Sequence, residues 1–254
     1  MPALVFYMMS CIKETEVVQF VDPNIGGVAH LLQPTHPTVR LPDQIIRMYP
    51  VRKDYLDDQI ESFALTIISH RDRPLFEIMP FTGDCPETNS PVSAWDKQNE
   101  TITPYCYSVW LEDFNIDVKF TPGSKTGYFR FTYPKQGERW IELSAQAVNW
   151  SQKSEMTISG EEYFYGMKAF IYGKFNYPIK SFNILNDTNK VRLDFAKEKN
   201  VEFKYGISNI SPEQAKKNLE NELANQRFEE QRNKAKQIWE SKLGQIEVKG
   251  GTES

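Results

Sequence analysis

The sequence contains few of the residues from which metal and nucleophile sites are built. It has three cysteines and three histidines among 254 residues. No Cys-x-x-Cys pair and no Cys/His cluster at metal-ligand spacing occurs, which argues against structural zinc. The segment between His30 and His36 holds no carboxylate, so no metal site is predicted there. A Gly-x-Ser-x-Gly elbow and the glycine spacings of nucleotide-binding loops are also absent, and we assign no catalytic residue.

An excess of positive charge and long apolar runs are lacking as well. The formal net charge is −4, so electrostatics favour neither nucleic acid nor an anionic membrane surface as a partner. The apolar run at the N-terminus is about nine residues long, which is too short for a membrane span. The sequence therefore predicts no nucleic-acid partner and no membrane span.

The three cysteines bear on where the protein works. Met-Met-Ser-Cys, ending at Cys11, resembles a bacterial lipoprotein cleavage site, so residues 1–16 are a candidate leader and Cys11 a candidate lipidation site. This route places the protein in the periplasm or at the cell surface of a bacterium; the alternative is a disordered or cloning-derived leader. In such an oxidising compartment, Cys85 and Cys106 form either a disulfide or two unrelated, half-buried thiols.

Residues 17–208 show the pattern of many short strands. Aromatic residues make up 13% of the chain, and they favour strands. The runs 114–120 and 128–133 alternate apolar and polar side chains around the turn-forming residues 121–127, which predicts a hairpin. Residues 163–172 read as one further strand. Turns recur about every 8–15 residues and no helices alternate with the strands, so we predict an antiparallel β-sandwich.

The hydrophobic period changes to that of helices in residues 209–254. Ser-Pro-Glu-Gln, beginning at Ser211, is a capping-box sequence with proline at the first helical position. Apolar residues then recur at helical spacing up to Gly244, with a polar break at Asn225 and Gln226. We therefore predict two helices that act as a linker after the sandwich.

Two features bear on sugar chemistry. Neighbouring carboxylates in a strand face opposite sides, so the acidic doublets of this chain cannot by themselves form the facing pair of a glycosidase. Trp95 lies in a polar loop, where its ring offers an apolar face to a sugar. The alternative for Trp95 is packing against the edge of the sandwich.

Three segments, in order, resemble the N-terminal region of glycoside hydrolase family 92, which comprises bacterial exo-acting α-mannosidases. The first is Val-Asp-Pro-Asn-Ile-Gly-Gly, which contains Gly26 and Gly27. The second matches at Asn99, Glu100, Pro104, Tyr107, Val109, Leu111, Gly127, Tyr133 and Pro134. The third matches at Ser211, Glu213, Ala215, Asn218, Leu219, Trp239, Leu243, Gly244, Ile246 and Val248. The segment Ser62–Arg71 and the residues after Gly27 depart from the family pattern.

The resemblance implies a β-sandwich of the supersandwich, galactose-mutarotase-like type, joined by helices to an (α/α)6 barrel. In the family the barrel holds the general acid, the general base and most Ca²⁺ ligands, and hydrolysis inverts the anomeric centre. We therefore expect this chain to be inactive alone, to bind no Ca²⁺ itself, and to complement a barrel absent from it. Gly26, Gly27, His30 and Trp95 are the expected contacts to a mannose-containing glycan.

Two other functions stay open on the sequence. A stand-alone carbohydrate-binding sandwich would grip glycans through exposed aromatic side chains such as Trp95 and Trp110. A structural interaction domain would instead pack its helical tail on a partner protein. The leading hypothesis is the pocket-forming domain of an α-mannosidase that degrades glycans such as N-glycans.

Overall fold

The computed structural model describes residues 16–27, 35–53, 57–68, 73–84, 89–146, 148–185 and 189–246. The strands of these residues are β1 (Pro50–Val51), β2 (Gln59–Ile60), β3 (Ser62–Ile67), β4 (Pro74–Phe81), β5 (Ser93–Ala94), β6 (Thr101–Thr103), β7 (Cys106–Leu111), β8 (Ile116–Pro122), β9 (Thr126–Thr132), β10 (Trp140–Ser144), β11 (Val148–Ser154), β12 (Thr157–Phe164), β13 (Met167–Phe175), β14 (Ser181–Ile184), β15 (Lys190–Asp194) and β16 (Asn200–Ser208). Two α-helices follow, α1 (Pro212–Leu223) and α2 (Phe228–Leu243), and 3₁₀ turns span Val17–Phe20 and Lys97–Asn99.

The strands form the predicted antiparallel sandwich. A six-stranded sheet has the order β1-β3-β4-β10-β15-β14, and an eight-stranded sheet has the order β11-β12-β13-β16-β9-β8-β7-β6. The small pair β2-β5 lies apart from both sheets in hydrogen bonding. The hairpin predicted around residues 121–127 is β8-β9, with Asp117 opposite Thr132 and Pro122 opposite Gly127.

The core lies between the two large sheets because their strands alternate apolar and polar side chains. Phe63 and Leu65 of β3 and Phe129 of β9 are fully buried in it. The Tyr205 hydroxyl of β16 donates to the Leu65 carbonyl at 2.8 Å, which joins the sheets through a buried hydrogen bond.

One predicted strand is in fact a hairpin. The run 163–172 contains the turn between β12 and β13, which places Tyr165 at φ 43° and Gly166 at φ 77°. Tyr-Gly supports such a turn because glycine adopts positive φ without strain. The aromatic residues on both sides of the turn conceal it in the sequence.

The helices pack on the outer face of the eight-stranded sheet. Leu219 and Leu223 of α1 and Phe228 of α2 form a buried cluster with Tyr128 of β9. The Ser211 hydroxyl accepts a hydrogen bond from the Gln214 amide at 3.1 Å, as the predicted cap requires. The reciprocal half of the capping box is replaced, because the Gln214 amide side chain donates to Asn218 Oδ1 at 2.9 Å.

The second helix also holds the chain that precedes the sandwich. Glu240 of α2 accepts hydrogen bonds from the amides of Val17 at 3.0 Å and Val18 at 3.1 Å. Lys236 forms an ion pair with Glu16 at 2.6 Å. These contacts hold residues 16–18 against α2, and so fix where the glycine-containing loop that follows them begins. Neither helix is long and apolar enough to cross a membrane, and the described residues contain no other helix of that kind.

Candidate functional site

The glycine-containing opening loop is built from consecutive turns. Asp22 Oδ1 accepts hydrogen bonds from the backbone amide and the side-chain amide of Asn24 at 2.9 and 3.0 Å. The Gly27 amide donates to the Asn24 carbonyl at 2.9 Å. Asp-Pro-Asn therefore sets the turn through side-chain to backbone hydrogen bonds. Gly26 is exposed and Gly27 is buried.

Thr35 closes the loop against Gly26. Its amide donates to the Gly26 carbonyl at 2.9 Å, and its hydroxyl donates to the Ile25 carbonyl at 3.1 Å. Gly26 has φ 81°, and a Cβ atom at this position would lie 2.9 Å from Thr35 Oγ1. Both the backbone angle and the close approach require glycine here. The predicted contact His30 lies outside the described residues.

The return of this loop leads onto the outer face of the six-stranded sheet. The His36 ring stacks on the Tyr49 ring, with a centroid distance of 4.1 Å and an interplanar angle of 13°. The Tyr49 carbonyl accepts a hydrogen bond from the Ala64 amide at 3.0 Å, and Ala64 of β3 is the cross-strand partner of Glu77 of β4. Tyr49, on which His36 stacks, therefore lies two strand spacings, roughly 10 Å, from Glu77.

A polar cavity of about 390 Å³ opens beside Glu77 on that face. Its walls include Ser62, Glu142, Ser144 and Lys190. The Ser62 hydroxyl donates to the Glu77 carboxylate. The cavity has the size of a small-ligand site, and its hydroxyl, carboxyl and ammonium groups match a ligand rich in hydroxyls.

Two carboxyl groups of this cavity have perturbed acidity. Burial raises the pKa of Glu77, against the opposing effects of the Ser62 hydroxyl and the Arg73 charge. Burial also raises the pKa of Glu142, although Arg192 and Lys190 favour its charged form. Arg192 Nε donates to Glu142 at 2.9 Å, so this carboxylate is held in a buried ion pair.

The family assignment follows from direct comparison. Residues 20–239 match the model of the glycosyl hydrolase family 92 N-terminal domain. The chain belongs to this family. A comparison with curated proteins gave no match.

Solved structures of family 92 enzymes share the fold. A family 92 α-mannosidase from Bacteroides thetaiotaomicron matches 93% of this chain with a TM-score of 0.81 and 20% identity. A family 92 inverting mannosidase from Bacteroides thetaiotaomicron VPI-5482 matches 94% with a TM-score of 0.82 and 20% identity. The first enzyme in complex with mannoimidazole matches 91% with a TM-score of 0.80 and 21% identity. The chain spans only 37–39% of the length of these enzymes.

Trp95 of the family 92 domain lies at the edge of the core. Its ring is partly buried against the main apolar cluster, and its Nε1 donates to the Asp57 carbonyl at 3.3 Å. The Arg52 guanidinium covers the ring at 3.6 Å from the centroid. Arg52 also forms a 2.5 Å ion pair with Glu100, which accepts a hydrogen bond from the buried Tyr107 hydroxyl at 2.8 Å. One face of the ring is therefore occupied by protein.

The described cysteine and the possible metal-binding side chains give no further feature of the candidate site. Cys106 carries a free thiol, and burial raises its pKa to about 11. Cys11 and Cys85 lie outside the described residues. Within the described part of the chain, no three His, Cys, Asp or Glu side chains come together as a group able to hold a metal ion.

Glu77 and Glu142 are not among the site residues predicted from the sequence. Each could be recognised in the sequence, because it is the only charged residue of a mainly apolar strand, Pro74–Phe81 for Glu77 and Trp140–Ser144 for Glu142. A charge in such a run marks either the solvent face of a sheet or a buried polar site. The pairing register, which the sequence does not reveal, brings the two glutamates to one cavity.

Proposed function

We propose that this domain forms one wall of the sugar-binding site of an α-mannosidase, and that the catalytic acid and base come from an (α/α)6 domain. The match of residues 20–239 to the family 92 N-terminal domain carries the proposal. The names of the solved neighbours, an α-mannosidase and an inverting mannosidase, support it. In this proposal the full enzyme degrades mannose-containing glycans in the bacterial periplasm or at the cell surface.

The opening loop is the part of this chain proposed to meet the sugar. Gly26 presents exposed backbone in a turn that Thr35 holds in place, so a ligand can approach the peptide groups closely. The cavity beside Glu77 is lined by hydroxyl, carboxyl and ammonium groups that suit a second contact to the glycan. Gly26, Gly27 and His30 are the proposed contacts, and Trp95 is a contact only through the exposed part of its partly buried ring.

Within the proposal, the chain positions the sugar and excludes water, and it transfers no proton itself. Glu142 is held in an ion pair with Arg192, and Glu77 accepts a hydrogen bond from the Ser62 hydroxyl, so the proposal gives both a structural role in the cavity. Ca²⁺, when bound in the full enzyme, would stabilise charge and orient the sugar.

The first experiment tests whether the chain acts alone. The purified 254-residue protein is incubated with α-linked mannobiose, and released mannose is followed by proton NMR. We expect no hydrolysis, and release of mannose would contradict the proposal. Reading the DNA that follows the last codon is the companion observation, because an (α/α)6 coding region there supports the proposal.

The second experiment uses the polypeptide in which this domain is joined to that catalytic domain. Gly26→Ala should reduce kcat/KM for mannobiose by about tenfold or more, because a small displacement of a positioning loop is costly. Gly166→Ala is the matched control, since Gly166 has a similar φ of 77° at the tip of the β12-β13 hairpin. Equal loss in both variants would mean that general strain is responsible and would contradict the role of the loop.

A stand-alone binding module remains distinguishable from this proposal. Such a module would bind mannose or mannobiose without any catalytic domain. Calorimetry of the isolated chain with millimolar mannose measures this directly, and saturable heat would favour the module.

A further inference from the structure

A second pocket lies at one end of the sandwich, away from the six-stranded face. It has a volume of about 440 Å³ between the segment 40–47, the end of β3 and the β12-β13 hairpin. Arg40 and Arg47 line it together with Gln44 and Asn209. Its floor is apolar and includes Ile67 and Phe164. The pocket thus combines N–H donors at the rim with an apolar base.

The two arginines face one another across a short hairpin. Val39 and Met48 form an antiparallel bridge, with the Val39 amide donating to the Met48 carbonyl at 2.7 Å and the reverse bond at 3.2 Å. The next residues inward are Arg40 and Arg47, one on each arm, and both line the pocket. Like charges at such positions destabilise a hairpin.

Nothing on the described part of the protein neutralises this pair. No carboxylate among the described residues lies within ion-pair distance of Arg40 or Arg47. Asp43 lines the same pocket but forms no ion pair with either arginine. Burial, with the Arg40 charge as a second cause, lowers the pKa of Arg47. Among the described residues, the charges of Arg40 and Arg47 therefore have no carboxylate partner.

Hydrogen bonds to other parts of the protein hold this hairpin in place. The Thr66 hydroxyl donates to the Ile45 carbonyl at 2.5 Å, and the Arg40 amide donates to the Pro104 carbonyl at 3.1 Å. Trp239 of α2 donates to the Arg40 carbonyl at 2.9 Å. Because the backbone is anchored on both arms, the guanidinium groups have little freedom to separate by backbone motion.

We propose that this pocket binds a small organic oxyanion, a phosphate or carboxylate group held between Arg40 and Arg47. Paired guanidinium groups bind such oxygens through charge-assisted and bidentate hydrogen bonds. Gln44 and Asn209 supply further N–H donors. The volume exceeds that of the bare anion, and the apolar floor of the pocket receives the body of the ligand. The site is independent of the proposed mannose contacts.

Inorganic phosphate is the first probe, applied to the 254-residue chain at low ionic strength. Its effect on the thermal unfolding midpoint is compared with that of sodium chloride at equal ionic strength. Phosphate at ten times its dissociation constant should raise the midpoint by about 3 °C, and chloride should not. Glucose, glucose 6-phosphate and glucuronate are then compared by calorimetry. Binding of either charged sugar without binding of glucose supports the proposal, and the difference in affinity between the two tells phosphate from carboxylate.

Arg47→Gln and Arg40→Gln are the decisive variants. Each should weaken anion affinity about tenfold, because one charged hydrogen-bonding partner is lost. Without anion, each should also raise the unfolding midpoint, because the repulsion is relieved. A merely structural arginine would lower it. Arg47→Lys keeps the charge without the bidentate fork and should bind with intermediate affinity.

Lys234→Gln is the matched control, since Lys234 is exposed on α2 and its loss changes net charge equally. It should leave anion affinity unchanged. The proposal is overturned if neither phosphate nor the charged sugars bind saturably, or if the arginine variants bind as tightly as the wild type. Loss of anion binding in Lys234→Gln as well would also overturn it, because net charge would then explain the effect.

Discussion

Arg192 of β15 lies directly opposite Glu142 of β10, and its Nε donates to the Glu142 carboxylate at 2.9 Å. Both side chains are almost fully buried, with 7% and 5% of their surfaces exposed. Arg192 donates further to the Asn89 carbonyl at 2.6 Å, so the pair also holds the chain before β5 against the sheet. Glu142 of this pair lines the cavity beside Glu77.

Arg192→Leu should lower the free energy of unfolding by about 3 kcal/mol at pH 7, because it leaves a buried carboxylate without its main partner. Lys190, 3.8 Å from Glu142, compensates only in part. Urea denaturation measures the change. The double variant with Glu142→Leu should recover most of the loss, since two apolar side chains replace the pair. A double variant as unstable as Arg192→Leu would refute this account.

Glu77→Gln should change the pH dependence of stability. Burial raises the pKa of Glu77 in the folded state above its ordinary value of 4.5. The contribution of Glu77 is therefore fully present below pH 4.5 and is lost as the pH rises through the folded-state pKa. Glu77→Gln should raise the thermal midpoint relative to wild type at pH 8, and this gain should disappear at pH 4. Glu112→Gln, at an exposed turn position, is the control. An equal gain at both pH values would contradict the expected titration.

The sequence predicts most of the fold because its signals are local. Alternation in 116–122 and 126–132 gives the β8-β9 hairpin, and Ser211 with Pro212 fixes the start of α1. The β12-β13 turn is hidden because Tyr165 takes the left-handed conformation that usually marks glycine or asparagine. The strand order of the two sheets depends on long-range pairing, which no local pattern encodes.

The candidate site is less predictable than the fold. The Gly-Gly pair indicates a tight turn, and the structure gives the reason in the approach of Thr35 to Gly26. Pairing register brings Glu77 and Glu142 to one cavity, and this relation is not written in either strand alone. The position of Trp95 depends on Arg52, which is distant in sequence and covers its ring.

Gly206→Ala should disturb the docking of α1 on the eight-stranded sheet. A Cβ atom at Gly206 would lie 2.3 Å from the Ala215 carbonyl oxygen and 2.9 Å from the Leu219 amide nitrogen. Both are backbone atoms of α1, so a side-chain rotation cannot relieve the clash. We expect a loss of about 2 kcal/mol in the free energy of unfolding. Lys217→Ala, on the exposed side of α1, is the control and should change stability little. A stable Gly206→Ala protein with unchanged amide exchange in α1 would contradict this packing.

Trp95 and Arg52 should be energetically coupled. The guanidinium lies 3.6 Å from the ring centroid, while Glu100 holds it from the other side at 2.5 Å. A double-mutant cycle with Trp95→Ala and Arg52→Ala should give a coupling of about 1 kcal/mol, measured by urea denaturation. All four proteins of the cycle contain Glu100. The Arg52–Glu100 ion pair therefore cancels from the coupling energy only if Trp95→Ala leaves that ion pair in place.

Trp95→Phe tests that condition, because it keeps an aromatic face under Arg52. It should retain more than half of the coupling, whereas Trp95→Leu should retain little. Sugar affinity should instead depend on Trp95 and not on Arg52. If Trp95 contacts a sugar through the exposed part of its ring, Arg52→Ala leaves the mannose affinity of the full enzyme unchanged, while Trp95→Leu lowers it about tenfold. Coupling near zero in the stability cycle would contradict the stacked arrangement, since a ring and a cation at this distance attract wherever solvent is partly excluded.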